Sequence, residues 1–203
     1  DSLHLIKEIL RNEINTNGHF ITQDLLDEMK AIGCKPRMKI SFAGVGYHDW
    51  MRNKKGAEKE TIDAIKLCVK NRFEVMTQGQ VNRINIDSMM DTARLLSSIG
   101  VYRMRLIRTQ EVPRWLSQVE GGSLSPDEYC ESMLKVCGEY IKSGIMMDLE
   151  IYNLIDIHPK ERSYSLVPVT FCEGEYRPTA AVCTLVRKMI EVRSNGDVIN
   201  CMQ

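Results

Sequence analysis

The sequence predicts an α/β fold: a partial (βα) barrel of parallel strands, followed by the start of a small extension made of short strands and turns. Three observations carry this expectation. Strand-like and helix-like segments alternate from residue 12 to residue 152. The strand segments are two-faced, with apolar and polar side chains at successive positions. The chain has 203 residues, 43% hydrophobic and 27% charged, which is an ordinary globular composition at a length that supports a sizeable core.

The elements follow in order. Residues 12–17 read as a strand that ends in Thr16-Asn17-Gly18. Thr22 then caps a helix whose Leu25, Leu26, Met29 and Ile32 share one face, and Gly33 stops it. A strand at 38–43 leads into the glycine-rich loop Gly44-Val45-Gly46-Tyr47-His48-Asp49. A helix near 57–70 turns Ile62, Ile65 and Val69 inward. Next come a strand at 73–81, a helix capped by Asn85 and closed by Gly100, and a strand at 101–107. Ser125-Pro126-Asp127-Glu128 is a capping box with proline in the first turn, opening a helix to about Ser143. A fifth strand is expected near 146–152. Repeated βα units predict a parallel sheet with right-handed crossovers. Beyond Asn153 the helical period fades, so residues 1–154 are expected to form the core and 155–203 a linker and extension, with Pro159, Pro168 and Pro178 in the connecting stretch.

The strands do not look like those of a sheet covered on both sides, which would be apolar throughout. Ile40 and Phe42 oppose Lys39 and Ser41; Met104 and Leu106 oppose Arg103 and Arg105; Leu149 and Ile151 oppose Asp148 and Glu150. One face therefore packs on helices. The other must meet water, a cavity or a ligand, because unpaired buried charges cost several kcal/mol each. Two arrangements satisfy this: an open sheet with one solvated face, or a curved, incomplete barrel around a polar lumen.

Charge and cysteine use narrow the function. With 27 basic and 27 acidic side chains the formal net charge is zero, which leaves no electrostatic footprint for nucleic acid or an anionic membrane. No apolar run approaches the roughly 20 residues of a membrane helix. The seven cysteines are an odd number and the sequence opens without a secretory signal pattern, so no disulfide framework is expected, and Cys68, Cys130 and Cys137 read as buried small hydrophobes in helices. The four histidines lack metal-ligand spacing, and His48-Asp49 reads as a loop-ordering pair.

An ordered set of segments points further. Thr16-Asn17-Gly18 is followed by Ile40-Ser41-Phe42-Ala43-Gly44, His48-Asp49-Trp50-Met51-Arg52, Gly56-Ala57-Glu58, Val81-Asn82-Arg83-Ile84-Asn85 and Ile107-Arg108-Thr109-Gln110-Glu111-Val112-Pro113-Arg114-Trp115. Each lies at or just after the end of a predicted strand, where parallel βα barrels build their active sites. The set resembles radical S-adenosylmethionine (SAM) enzymes with a SPASM-type C-terminal extension. The resemblance covers residues 12–115 and resumes at 183–201, where Cys183, Gly196 and Cys201 are similar to the opening of the SPASM auxiliary-cluster motif. Asn195-Gly196 is itself a hairpin signal between 189–192 and 198–200.

The resemblance implies an enzyme that uses SAM and [4Fe–4S] clusters to modify a peptide or protein by hydrogen abstraction, in an anaerobic cytoplasm. It implies SAM contacts from Ser41 and Arg52, with Arg52 pairing with the methionyl carboxylate. Leu106 or Ile107 is implied at the adenine, Asn17, Asn82 and Arg83 along the site, and Cys183 and Cys201 as cluster ligands. The family's Cys-x-x-x-Cys-x-x-Cys run is absent, and position 43 is Ala where many relatives carry Asp. The expectation is therefore a fragment of a longer enzyme that binds no cofactor tightly by itself. The alternative is a non-catalytic scaffold or peptide-binding module derived from the same fold. A strand edge left open near residues 12–17 would favour a homodimer.

Overall fold

Seven strands lie side by side in the order in which they occur in the chain. The computed structural model describes residues 13–109, 115, 119, 121–152, 154–166 and 197, and the backbone of four later strands. Strands β1 (Glu13–Thr16), β2 (Arg37–Ser41), β3 (Val75–Val81), β4 (Arg103–Arg108) and β5 (Asp148–Ile151) are parallel. Strands β6 (Ile155–His158) and β7 (Ser163–Leu166) then run antiparallel as hairpin neighbours. The division expected at residue 154 falls between β5 and β6, and the sheet continues across it. Two antiparallel pairs follow: β8 (Val169–Cys172) with β9 (Glu175–Pro178), and β10 (Glu191–Val192) with β11 (Val198–Ile199). The last pair is the hairpin signalled by Asn195-Gly196, with Val192 opposite Val198.

The helices are α1 (Gln23–Ala31), α2 (His48–Arg52), α3 (Ala57–Lys70), α4 (Met89–Ile99) and α5 (Pro126–Ser143). Their ends follow local chemistry. The Thr22 hydroxyl accepts from the Leu25 N–H, and Ser125 and Glu128 close a reciprocal capping box. Helix α2 begins within the segment expected to be a loop and runs on to Arg52; five residues are too few to show a helical period.

Register explains the core. Across the sheet, Ile40, Thr77, Met104, Leu149 and Ile157 form one row, and Gly79, Leu106, Ile151 and Ile155 the next. These rows join Leu26, Ile65, Leu96, Met133 and Tyr140 from the helices in a single hydrophobic cluster. Each large aliphatic side chain so buried contributes about 1.5–3 kcal/mol. At Gly79 the sheet is too close for any side chain: a Cβ would lie 2.7 Å from the Phe42 carbonyl oxygen. Gly79→Ala is expected to lower stability by about 1–3 kcal/mol. A urea unfolding curve that does not move would contradict this packing.

The opposite face carries the polar rows: Asn15, Lys39, Met76, Arg103 and Asp148, then Ser41, Gln78, Arg105, Glu150 and Asp156. These charges meet each other across strands. Arg103 reaches Asp148 at 3.2 Å and Glu150 at 3.4 Å, Arg105 reaches Glu150 at 2.8 Å, and Lys39 reaches Glu13 at 3.0 Å. Glu150 is buried, and burial together with its charge raises the pKa of Asp156. Sequence alternation located this face, and spatial register supplied its ion pairs.

Candidate ligand-binding site at the strand C-termini

The C-terminal ends of the parallel strands are joined by a chain of hydrogen bonds. At the end of β1, the Gly18 N–H donates to Thr16 Oγ1 and the His19 N–H to Asn17 Oδ1, which makes a tight turn. Gly18 has φ +86° and packs on α3, where an added Cβ would lie 3.2 Å from Ala64 Cβ. At the end of β2, the Ala43 N–H donates to His48 Nδ1 at 3.0 Å. This sets the ring tautomer, so Nε2–H donates to Thr61 Oγ1 at 3.1 Å. Thr61 in turn donates to the Asn17 carbonyl. His48 is 1% exposed, and burial, followed by the nearby Arg52 charge, pushes its pKa down to about 4. The His48-Asp49 pair thus orders the loop, and its histidine is held neutral.

Asp49, the next residue, faces the start of α3. Its carboxylate accepts from the Glu58 N–H at 2.6 Å and the Gly56 N–H at 2.7 Å, and these bonds lower its pKa. It is an N-terminal anchor for α3. With His48 and Asp49 both occupied, α2 is a fixed platform, and Arg52 stands at its last position without a hydrogen-bonded or ion-paired partner among the described residues.

The end of β3 is locked by two asparagines. Asn82 Oδ1 accepts from the Ile84 and Asn85 N–H groups, while Asn85 Oδ1 accepts from the Asn82 N–H. Asn85 Nδ2 donates to the Ala43 carbonyl at 2.7 Å and the Gln80 carbonyl at 2.8 Å, and so ties β2 to β3. Both asparagines are fully buried.

These elements border a cavity of about 1120 Å³. Trp50, Arg52 and Lys55 line it from α2 and the following loop, Gln80 from β3, and Ile107 and Thr109 from β4 and just beyond. Trp50 and Trp115 meet edge to face at 6.2 Å, and Trp115 Nε1 donates to Ser123 Oγ at 2.8 Å.

Of the residues expected to form the site, Arg52 lines this cavity. Ser41 is half-buried on the polar face beside Gln78, and Asn17 is an exposed turn residue at the end of β1. Asn82 points inward to its backbone partners. Arg83 is on the surface, paired with Glu128 at 2.6 Å, which holds the Glu128 pKa at about 2. Leu106 is fully buried in the helix-covered core, and the residue that reaches the cavity is its neighbour Ile107. Cys183 and Cys201 lie outside the described residues. Among the described residues, no three His, Cys, Asp or Glu side chains gather as a metal site. Cys34, Cys68 and Cys137 are buried, and burial raises the thiol pKa of Cys68 to about 11. Gln80 and Thr109 were not expected at the site; their signal was the position each holds at a strand end. No helix among the described residues is long and apolar enough to cross a membrane.

No protein-family model and no curated protein matches the sequence. Solved structures do resemble it. Streptococcus suis SuiB aligns with a TM-score of 0.67 at 13% identity, over 98% of this chain and 46% of SuiB. SuiB bound to its precursor peptide SuiA aligns at 0.68 and 11%, over 98% of this chain and 44% of SuiB. Native anSMEcpe with bound AdoMet and the Cp18Cys peptide aligns at 0.54 and 14%, over 66% of this chain and 38% of that one. S-adenosylmethionine is bound in a further solved structure of SuiB, and the α/β fold with its seven-stranded, mostly parallel sheet is shared with these neighbours. At these identities the likeness is one of fold. The chain spans less than half the length of SuiB.

Proposed function

We propose that this chain is the partial-barrel core of a radical SAM enzyme that modifies a peptide or protein, and that SAM occupies the cavity at the strand C-termini. The observation that carries the reading is Arg52: a guanidinium at a cavity, unpaired among the described residues, on a platform whose His48 and Asp49 are both committed to backbone groups. The space fits. Ligand pockets commonly measure about 300–1000 Å³, so about 1120 Å³ accommodates SAM with part of a substrate.

SAM, bound together with its iron–sulfur cluster, supplies radical hydrogen abstraction. This chain's residues bind and orient. Arg52 offers a planar fork to the methionyl carboxylate. Ile107 offers an apolar surface to adenine and Gln80 a polar edge beside it. Ser41 and Gln78 present small and polar groups on the same sheet face. The described residues do not fit a [4Fe–4S] cluster. Cys183 and Cys201 are proposed as ligands of an auxiliary cluster, a reading supported by the β10–β11 pairing between them. Residues 155–203 are proposed as the linker and extension, with β6 and β7 of the linker continuing the sheet. Association of two copies through β1, which pairs only with β2 among the described residues, belongs to the same proposal.

Saturation-transfer NMR with millimolar SAM tests the reading. Weak binding seen through the adenine protons is expected, reduced roughly tenfold by Arg52→Gln, with the melting temperature unchanged. Equal signals from both proteins would remove SAM from this site. A second reading is a non-catalytic scaffold or peptide-binding module derived from the same fold. Complete absence of a SAM signal in the same experiment would select it.

A further inference from the structure

We propose that the cavity recognises an acidic segment of the substrate, with Arg108, Lys55 and the Thr109 hydroxyl receiving its carboxylates beside the Trp50–Trp115 pair. The inference rests on the proposed function for the identity of the site, and names the chemistry of what enters it.

The charge balance of the described lining residues is one-sided. Arg52, Lys54, Lys55 and Arg108 face a single acid, Asp49. Asp49 is directed at the Gly56 and Glu58 N–H groups, and Lys54 is paired with Glu60 at 2.7 Å. Among the described residues Arg108 donates to the Leu124 carbonyl, a neutral acceptor, at 2.9 Å, and meets no acid. Among the described residues, Arg52, Lys55 and Arg108 therefore have no acidic partner. SAM does not neutralise them, because its sulfonium and ammonium outnumber its one carboxylate. An anionic co-ligand does.

A second observation stands apart from charge. Thr109 is 2% exposed and lines the cavity, yet its Oγ1 has no hydrogen-bond partner among the described residues. Buried hydroxyls are ordinarily paired, so one without a partner among the described residues, on a residue of the cavity wall, is open to a further acceptor. A carboxylate oxygen accepts from a hydroxyl and from a guanidinium at once. Trp50, 47% exposed, and Trp115 add apolar walls suited to a peptide chain.

The chain contains two tryptophans, and both are here, so intrinsic fluorescence reports on the cavity. The test titrates the full chain with an acetylated, amidated peptide of alternating glutamate and glycine, and with its glutamine counterpart. The expected result is saturable binding of the glutamate peptide, roughly tenfold tighter than the glutamine one and weakened by salt. Thr109→Val and Lys55→Gln should each reduce that preference several-fold. Thr109→Val is nearly isosteric and Lys55 is exposed, so both variants are expected to fold. Equal binding of the two peptides, or a preference undiminished in both variants, would overturn the inference. A SAM signal that weakens in Arg52→Gln, with no peptide preference beside it, would reject the acidic substrate alone. A clear preference for glutamate without any SAM signal would support the anion site and reject the adenosyl reading.

Discussion

Lowering the pH from about 6.5 to about 4 is expected to destabilise the protein by roughly 2–3 kcal/mol through His48 alone. The folded state holds this ring neutral, buried between the Ala43 N–H and the Thr61 hydroxyl. The unfolded chain protonates it at its ordinary pKa near 6.5. Between those two values the unfolded state binds more protons, so stability is fully present above about 6.5 and lost as the pH falls towards 4. Protonation also removes the acceptor that the Ala43 N–H requires. His48→Gln should flatten this part of the pH profile while lowering stability at neutral pH. Urea midpoints measured for both proteins at pH 7 and pH 4.5 decide the matter: equal pH slopes would show that His48 is not the titrating group.

Asn85→Asp is expected to be the more damaging substitution, costing about 3–5 kcal/mol at neutral pH. The Asn85 amide donates two bonds and accepts one, and every partner is main chain at the ends of β2 and β3. A carboxylate places an acceptor against the Ala43 and Gln80 carbonyl oxygens, with two donors removed. Partial recovery is expected at acidic pH, where the protonated acid can donate once. A variant that melts with the wild type at pH 7 would show that the bridge between β2 and β3 does not matter.

The two predictions concern residues of the ordered segments that resemble radical SAM enzymes, and they sort those residues by task. His48, Asp49, Asn82 and Asn85 hold the backbone; of the expected site residues, Arg52 and Ile107 line the cavity. Sequence order does not separate the two groups, since a polar residue at a strand end can turn towards its own backbone or towards a ligand. Leu106 shows the same limit in one strand. Alternation puts it on the apolar face with Met104, and the structure buries it there, which leaves Ile107 at the cavity.

The strand–helix alternation, the capping residues Thr22 and Ser125 and the two-faced strands were determined by the sequence, because caps and periodicities are local and repeat within a few residues. Only the tertiary structure decided that β6 and β7 extend the sheet antiparallel, that α2 is a helix, and that Arg108 and Thr109 share a cavity with Lys55. These depend on which distant segments meet and in what register. A shift of one residue in register moves a side chain to the opposite face, and nothing local encodes that meeting.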